Sequence, residues 1–387
     1  MNNGKYVYSQ LIEFLPKRVF DNIVDKYGGN KYVKHFTCWN QLLVMMFGQL
    51  TNRDSLRDLI VTIDAHKSKI YHLGFSKSVT RSNLSKANEN RDFRIFEEFA
   101  YYLIDIARRK RNNIDFEING KIYAFDSTTI DLCLSVFWWA KFRKSKGGIK
   151  INTLFDITTQ IPAFIYITTA ATHDVNAMDV IPYEVGAYYI FDRAYVDFSR
   201  LYKITQLDSY FVIRSKKNIK FKAKHYRNVD TESGIQSDQI GIVTGLTTAN
   251  DYPKELRKVV FFDQKKKKFY TYLTNNFELP ADQIALLYKN RWQVELFFKW
   301  IKQHLKIKSF WGETENAVRI QIYTAIIAYC LVAIVEHDLK LERSLYEVLQ
   351  IIGISVFDKS QIKDLFFDSI KTEMSDQKYK QLEIAFF

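Results

Sequence analysis

Residues 288–302 read YKNRWQVELFFKWIK, inside a strongly helical stretch that Pro280 precedes and that runs through Leu305. Each residue of a helix turns by about 100°, so Tyr288, Arg291, Glu295 and Lys302 share about 60° of arc. Leu286, Leu287, Val294, Phe297, Ile301 and Leu305 face the other way. One side can therefore pack on a sheet. The narrow stripe opposite carries a phenol, a guanidinium, a carboxylate and an amine. Taken alone, such a stripe is as well explained by solvation, with an Arg291–Glu295 i,i+4 pair worth only a few tenths of a kcal/mol.

Upstream, the apolar runs alternate. KIYAFDST (121–128), IKINTLFDITT (149–159) and IPAFIYITTA (161–170) read as three strands, with turns short enough for an antiparallel meander. A helix-like stretch near Ala177–Val185, a strand GAYYIFD (186–192), a helical Tyr195–Gln206 and a strand SYFVIRS (209–215) follow. That order predicts an α/β fold with a mixed sheet and flanking helices. Asp126 in YAFDST and Asp192 in YIFDRAY stand at or near strand ends. Either alone is explained as a cap or a turn former. As a pair facing the polar stripe they become candidates for a carboxylate site.

From Lys216 to Asn276 come short β-type runs, QIGIVTGLTT, LRKVVFFD and KKFYTYLTN, without a long helical period. This segment opens with Arg214, Lys216, Lys217, Lys220, Lys222, Lys224 and Arg227, and later carries Lys265, Lys266, Lys267 and Lys268. It reads as a basic β-rich insertion, 216–280, within an α/β domain, 113–340. Residues 341–387 read as a helical C-terminal region and 1–112 as a helical domain. In the latter, Leu42, Met45, Met46 and Leu50 fall at helical spacing, and Asp92 can cap a helix ending in Arg108-Arg109-Lys110-Arg111. Between them, SKSVTRSNLSKANENR (76–91) has the surface of a short DNA-reading helix or of a solvated face.

The composition narrows the function classes. Among 387 residues, 56 lysines and arginines against 43 aspartates and glutamates give a net charge of +13, which fits a polyanionic partner. A/T-rich codons could enrich lysine and the aromatics together, so the distribution of charge says more than its sum. With 47% hydrophobic residues, 14 glycines and 5 prolines, collagen-like, linker-like and disordered chains are excluded. Cys38, Cys133 and Cys330 are far apart and form neither a disulfide framework nor a cysteine-rich zinc site. The N-terminus lacks the apolar run of a signal peptide. The 14-residue run Ile322–Val335 suits a core helix, since a bilayer span takes about 20 residues. A reducing cytoplasm and no membrane partner are expected.

Tyr288-x2-Arg291-x3-Glu295-x6-Lys302 resembles the YREK signature of the DDE transposases of the insertion-sequence-four family. AFDSTTIDL around Asp126 and FDRAYVD around Asp192 are similar to the segments that carry that family's two catalytic aspartates. The resemblance spans nearly the whole chain and implies an RNase H-like core, with the β-rich insertion before the glutamate and an added helical N-terminal domain of DNA-binding role. It implies Asp126, Asp192 and Glu295 as the catalytic and metal-binding residues. They would hold two Mg2+ ions, with Mn2+ as a substitute, because such ions favour carboxylate oxygens. The implied partner is double-stranded DNA, both element ends and target, bound by a bacterial homodimer that works through a hairpin intermediate. Tyr288, Arg291 and Lys302 are the expected phosphate contacts, and Lys265–Lys268 the expected backbone contacts. Base extrusion needs an aromatic surface, for which Trp292, Phe269, Tyr270 and Tyr272 are candidates; for Trp292 packing is the plainer explanation. Two rivals stay open: an RNase H-like nuclease without strand transfer, and a non-catalytic DNA-binding repressor derived from a transposase. Asp131, Asp156, Asp174, Asp179 and Asp197 are expected to be structural, and the basic loop from Lys141 to Gly148 is either a solvated hairpin or a DNA contact.

Overall fold

The computed structural model describes residues 4–366 except 76–78, 112–117, 119, 144–145, 306 and 308–309. The chain divides into two units, one of Met1–Lys110 with Trp300–Phe387 and one of Arg111–Lys299. The first begins with six helices: α1 (Val7–Ile12), α2 (Lys17–Lys26), α3 (Cys38–Leu50), α4 (Leu56–Ala65), α5 (Arg81–Asn90) and α6 (Arg94–Lys110). Side chains of Thr37, Ser55 and Thr80 cap α3, α4 and α5 by accepting from the backbone three residues on.

The second unit is built on a ten-stranded sheet. Its strands are β1 (Ile122–Leu132), β2 (Lys141–Arg143), β3 (Lys146–Asp156), β4 (Ile161–Thr169), β5 (Tyr188–Phe191), β6 (Tyr210–Arg214), β7 (Phe221–Tyr226), β8 (Ile235–Val243), β9 (Leu256–Asp263) and β10 (Lys268–Thr274). Strands β1, β3 and β4 pair antiparallel, while β5 lies parallel to β1 and β6 parallel to β5. The order β4-β3-β1-β5-β6 is the RNase H-like arrangement, a meander extended by two parallel strands. Beyond it β10 pairs antiparallel with β6, and β9, β8 and β7 follow. The β-rich insertion therefore prolongs the sheet by using the free edge of β6, which would otherwise expose unpaired backbone groups. Its helix α8 (Leu246–Asp251) was not legible as a period, being under two turns long. Helix α7 (Phe198–Gln206) packs on one sheet face over Tyr123, Phe125, Tyr189, Phe191, Phe211 and Ile213. The stretch expected to be helical at Ala177–Val185 is instead a short 3-10 segment at Asp174–Val180.

The long helix expected from Pro280 to Leu305 is two helices, α9 (Ala281–Asn290) and α10 (Trp292–His304), broken at Arg291. The N–H of Arg291 bonds to the carbonyl of Tyr288, and that of Val294 to Arg291, both over three residues rather than four. A single continuous wheel therefore does not place the stripe. The apolar face is nonetheless used: Leu287, Val294, Phe297, Ile301 and Leu305 are buried, Leu286 half-buried.

The division falls within α10, between Lys299 and Trp300. Helix α11 (Glu315–Asp338), expected inside a catalytic domain reaching residue 340, packs instead with α6, α3 and α5, and against α12 (Leu345–Ser355). It is apolar all round, so it needs neighbours on every side. It is longer than its apolar run and long enough to cross a membrane, but its most apolar window is 94% buried in protein. The helical C-terminal region expected over 341–387 is described to residue 366 and contains α12, and residues 367–387 lie outside the described residues.

Candidate active site

Strand register brings the two aspartates together. Phe125 on β1 pairs with Phe191 on β5, so Asp126 and Asp192 are the next residue along each of two neighbouring parallel strands. Parallel neighbours are about 4.8 Å apart, and successive side chains alternate between faces. Phe125 and Phe191 enter the α7-side core, which turns Asp126 to the other face. There α9 lies against β5 and β6, Tyr288 packs on Tyr272 at 4.7 Å between centroids, and Phe297 of α10 packs on Phe155 at 5.2 Å.

The break between α9 and α10 delivers the remaining groups. The Tyr288 hydroxyl donates to Asp192 Oδ1 at 3.0 Å. Arg291 Nη1 donates to Asp126 Oδ2 at 2.8 Å, and its Nη2 donates to Glu295 Oε1. Asp126 also accepts from the N–H of Ser127 at 2.8 Å. One phenol and one guanidinium thus tie together three carboxylates from three separated segments. Side-chain exposure rises across the group, 13% for Arg291, 21% for Asp126 and 56% for Glu295, so the site opens to solvent on the glutamate side.

Burial raises the Asp126 carboxyl above its ordinary range, and the Arg291 charge opposes that rise. Burial also pushes the Tyr288 phenol up to about 12, helped by the charge of Asp192. For Arg291 burial acts to lower the value, but Asp126, Tyr288 and Glu295 together hold it above that of free arginine. The tyrosine is thus neutral and the arginine charged at ordinary pH.

By donor type the group suits a hard divalent cation: all three ligands offer carboxylate oxygens and one side is open. As arranged, Arg291 occupies two of them, and among the described residues no three acidic, histidine or cysteine side chains converge in metal-binding geometry. The same guanidinium can fork onto a phosphate.

Other expected site residues fall elsewhere. Lys302 lies on α10, half-buried, beyond the division at Lys299. Trp292 is about half exposed. Lys265–Lys267 form the exposed turn between β9 and β10, and Lys268 begins β10. Tyr272 is buried against Tyr288, which removes it from the candidate base-stacking surfaces; Phe269 is exposed. Asp156 accepts from Thr158 and Thr159, Asp197 caps α7, and Asp179 pairs with Arg200 at 2.6 Å. Asp174 accepts from Ser127 at 2.7 Å and pairs with the nearly buried Lys150 at 2.8 Å. Of the basic loop, residues 144–145 lie outside the described residues. Sequence reasoning missed Ser127, whose N–H holds Asp126; its place directly after the aspartate was the available signal.

A family model described as a transposase DDE domain matches residues 119–331, and one described as a domain of unknown function (DUF4372) matches residues 3–76. The chain is similar to y4zB of Sinorhizobium fredii, named as a transposase, with 35% identity over 255 residues that make up 65% of this chain and 70% of that protein. It is similar to a Geobacillus stearothermophilus protein named as a transposase for insertion sequence element IS5377, with 33% identity over 53% of this chain and 54% of that one. A Synechocystis protein named for insertion sequence element IS4SA is 29% identical over 66% of this chain and 71% of its own. Among solved structures, a piggyBac transposase synaptic complex with hairpin DNA aligns with 94% of this chain and 82% of that chain, at a TM-score of 0.47 and 11% identity.

Proposed function

Because the chain belongs to the family of transposases with a DDE domain, we propose that it cuts and rejoins DNA at the inverted-repeat ends of an insertion sequence. The observation that carries this reading is the chain of contacts Asp126–Arg291–Glu295 beside Tyr288–Asp192. The Tyr288-x2-Arg291-x3-Glu295-x6-Lys302 spacing favours the insertion-sequence-four branch. Asp126, Asp192 and Glu295 would hold Mg2+, in two sites and with Mn2+ as a substitute. Divalent ions so bound make water more acidic and offset charge on a reacting phosphate.

In this reading water attacks the phosphodiester at the element's end and leaves a free 3′-hydroxyl. That hydroxyl attacks the opposite strand, closing a hairpin and releasing the flanking DNA. A second water opens the hairpin, and the 3′-hydroxyl then displaces a 3′-oxygen in the target. Arg291, once its carboxylate contacts are exchanged for phosphate, and Tyr288 steady the nucleotide displaced at the hairpin step. Trp292 and Phe269 offer ring faces to the displaced base. Lys302 and Lys265–Lys268 contact phosphates away from the reacting one. A homodimer would act on paired ends, in the cytoplasm.

The test is a Mg2+-dependent time course on DNA carrying the flanking repeats, with nicked, hairpin and fully cut products resolved on a denaturing gel. The wild type is expected to yield all three, and Arg291→Ala to lose hairpins more than nicks. Nicks alone from the wild type would reduce the protein to a nuclease. No metal-dependent cleavage would sink the catalytic reading, and equal slowing of both steps by Arg291→Ala would leave Arg291 a general anchor of the carboxylates.

A further inference from the structure

The helical unit contains a cleft of about 830 Å3, lined by the loop from Tyr27 to Phe36 and by α5 with its junction to α6. Its volume falls in the range of ligand-binding clefts. Lys31, Lys34 and Lys86 line it and are exposed. Asp92 is the acidic residue among the described lining, and its carboxylate is paired with Arg94 at 2.6 Å. The cleft is therefore a net cationic concavity.

The loop is built and held. The N–H of Cys38 donates to Asn30 Oδ1 at 2.8 Å. Arg91 donates to the Phe36 carbonyl and to Gln41 Oε1 at 2.9 Å, with its guanidinium 5.3 Å from the Phe36 ring centre. Gly29 sits so close to the core that a Cβ there would lie 2.5 Å from Ile95 and 2.8 Å from Cys38. Against this anchored loop one residue stands out. Tyr32 has φ +61° and is 91% exposed, with Lys31 Nζ 5.3 Å from its ring centre. A tyrosine in the left-handed region is strained, and a ring left in water gains nothing from folding. Its conformation therefore points to a ligand.

We propose that this cleft binds a short unpaired stretch of DNA, with phosphates on Lys31, Lys34 and Lys86 and one base stacked on Tyr32. Cations interleaved with an exposed aromatic ring are the chemistry of single-strand binding. A duplex is disfavoured because its bases are already paired and stacked, leaving no free face for the Tyr32 ring. Asn83 and Asn90, also in the lining, flank Lys86 along α5 at helical spacing; Asn83 offers its amide to a base edge, and Asn90, whose amide nitrogen donates to the Lys86 carbonyl at 3.0 Å, offers its oxygen. The carboxylate group lies in the other unit, so this is a second contact with DNA, independent of the cutting chemistry.

The experiment uses the full-length protein in excess chelator, so that cleavage plays no part. Binding of a short fluorescent single strand and of the matching duplex is measured across a range of salt. Lys31, Lys34 and Lys86 changed together to Ala should weaken single-strand binding at least about tenfold and flatten its salt slope by about 2, at roughly 0.7 per phosphate contact. Duplex binding should change less than about twofold by the same counting, since these lysines would not meet it. Tyr32→Ala should abolish quenching of a 2-aminopurine placed in the strand, and Tyr32→Trp should restore it. All four side chains are exposed, so the variants retain the fold. Unchanged single-strand affinity and slope would overturn the proposal. So would equal losses on strand and duplex, which would make the lysines a general phosphate surface, or unaltered quenching in Tyr32→Ala.

Discussion

The sheet unit and the helical unit are assembled in opposite ways. The sheet unit is one continuous segment, Arg111–Lys299, in which neighbouring strands place chemistry by register. The helical unit joins two segments separated by that whole sheet, and α11 from the second supplies packing for α3, α5 and α6 from the first. Polar contacts reflect the split. In the sheet unit one cluster of them joins Asp126 of β1 and Asp192 just after β5 to Tyr288, Arg291 and Glu295. In the helical unit they stitch distant segments: Asn316 donates to the carbonyls of Asn88 and Arg91 at 2.9 and 2.6 Å and accepts from the N–H of Phe93. The lesson is that activity and stability can be impaired separately, one by touching carboxylates and the other by loosening a core closed across sequence.

The strongest test of that separation removes charge at the site. Asp126→Asn, Asp192→Asn and Glu295→Gln should each lower DNA cleavage by on the order of 10^3, about 4 kcal/mol of transition-state stabilisation, with the thermal melt nearly unchanged. A variant that melted early would show that its carboxylate also holds the fold. Next in size is Arg257, almost fully buried, which donates to both oxygens of buried Asp238 at 2.9 and 2.8 Å and to the Leu279 carbonyl at 2.6 Å. Arg257→Ala leaves buried Asp238 only the longer 3.9 Å contact with the partly exposed Arg227 and should cost about 3–5 kcal/mol in urea unfolding. A loss below about 1 kcal/mol would mean that water or Arg227 satisfies the aspartate in its place.

A smaller effect probes the closure of the helical unit. A Cβ on Gly48 of α3 would lie 2.5 Å from the Trp311 ring and 3.1 Å from Leu59. Gly48→Ala should destabilise by about 1–2 kcal/mol, because overpacking exceeds the gain in helix propensity. A stabilised Gly48→Ala would mean the two segments do not press on each other there. The smallest effect belongs to the hairpin turn. Replacing Lys265–Lys268 with Ala should leave stability alone and flatten the salt dependence of duplex binding by about 0.9 for each phosphate no longer neutralised. An unflattened slope would make the run a solvated turn.

How far the chain could be read in advance follows the same division. The strands were legible because alternation is local: LRKVVFFD is β9 as read, and the apolar face of α9–α10 is buried nearly as its spacing required. The carboxylates were legible because two follow short apolar runs and one lies on a helix stripe; only Asp192 ends its strand, since β1 continues past Asp126 to Leu132, a length that its pairing with β3 sets. The interruption at Arg291 was not, since nothing in YKNRWQV breaks a helix. It is visible only where the guanidinium turns to Asp126, 165 residues away.

What the amino-acid sequence determined by itself was the inventory: strands, helices, an excess of cations, and Asp126, Asp192, Tyr288, Arg291 and Glu295 in order. These follow from periodicity and side-chain chemistry, which act over a few residues. Tertiary structure alone decided that the insertion would continue the sheet at β6, that α11 would serve the helical unit, and that Arg291 would lie between two carboxylates. Each of those outcomes is a contact between segments far apart in the chain. Its free energy comes from burying surface or pairing charge that neither segment could satisfy alone.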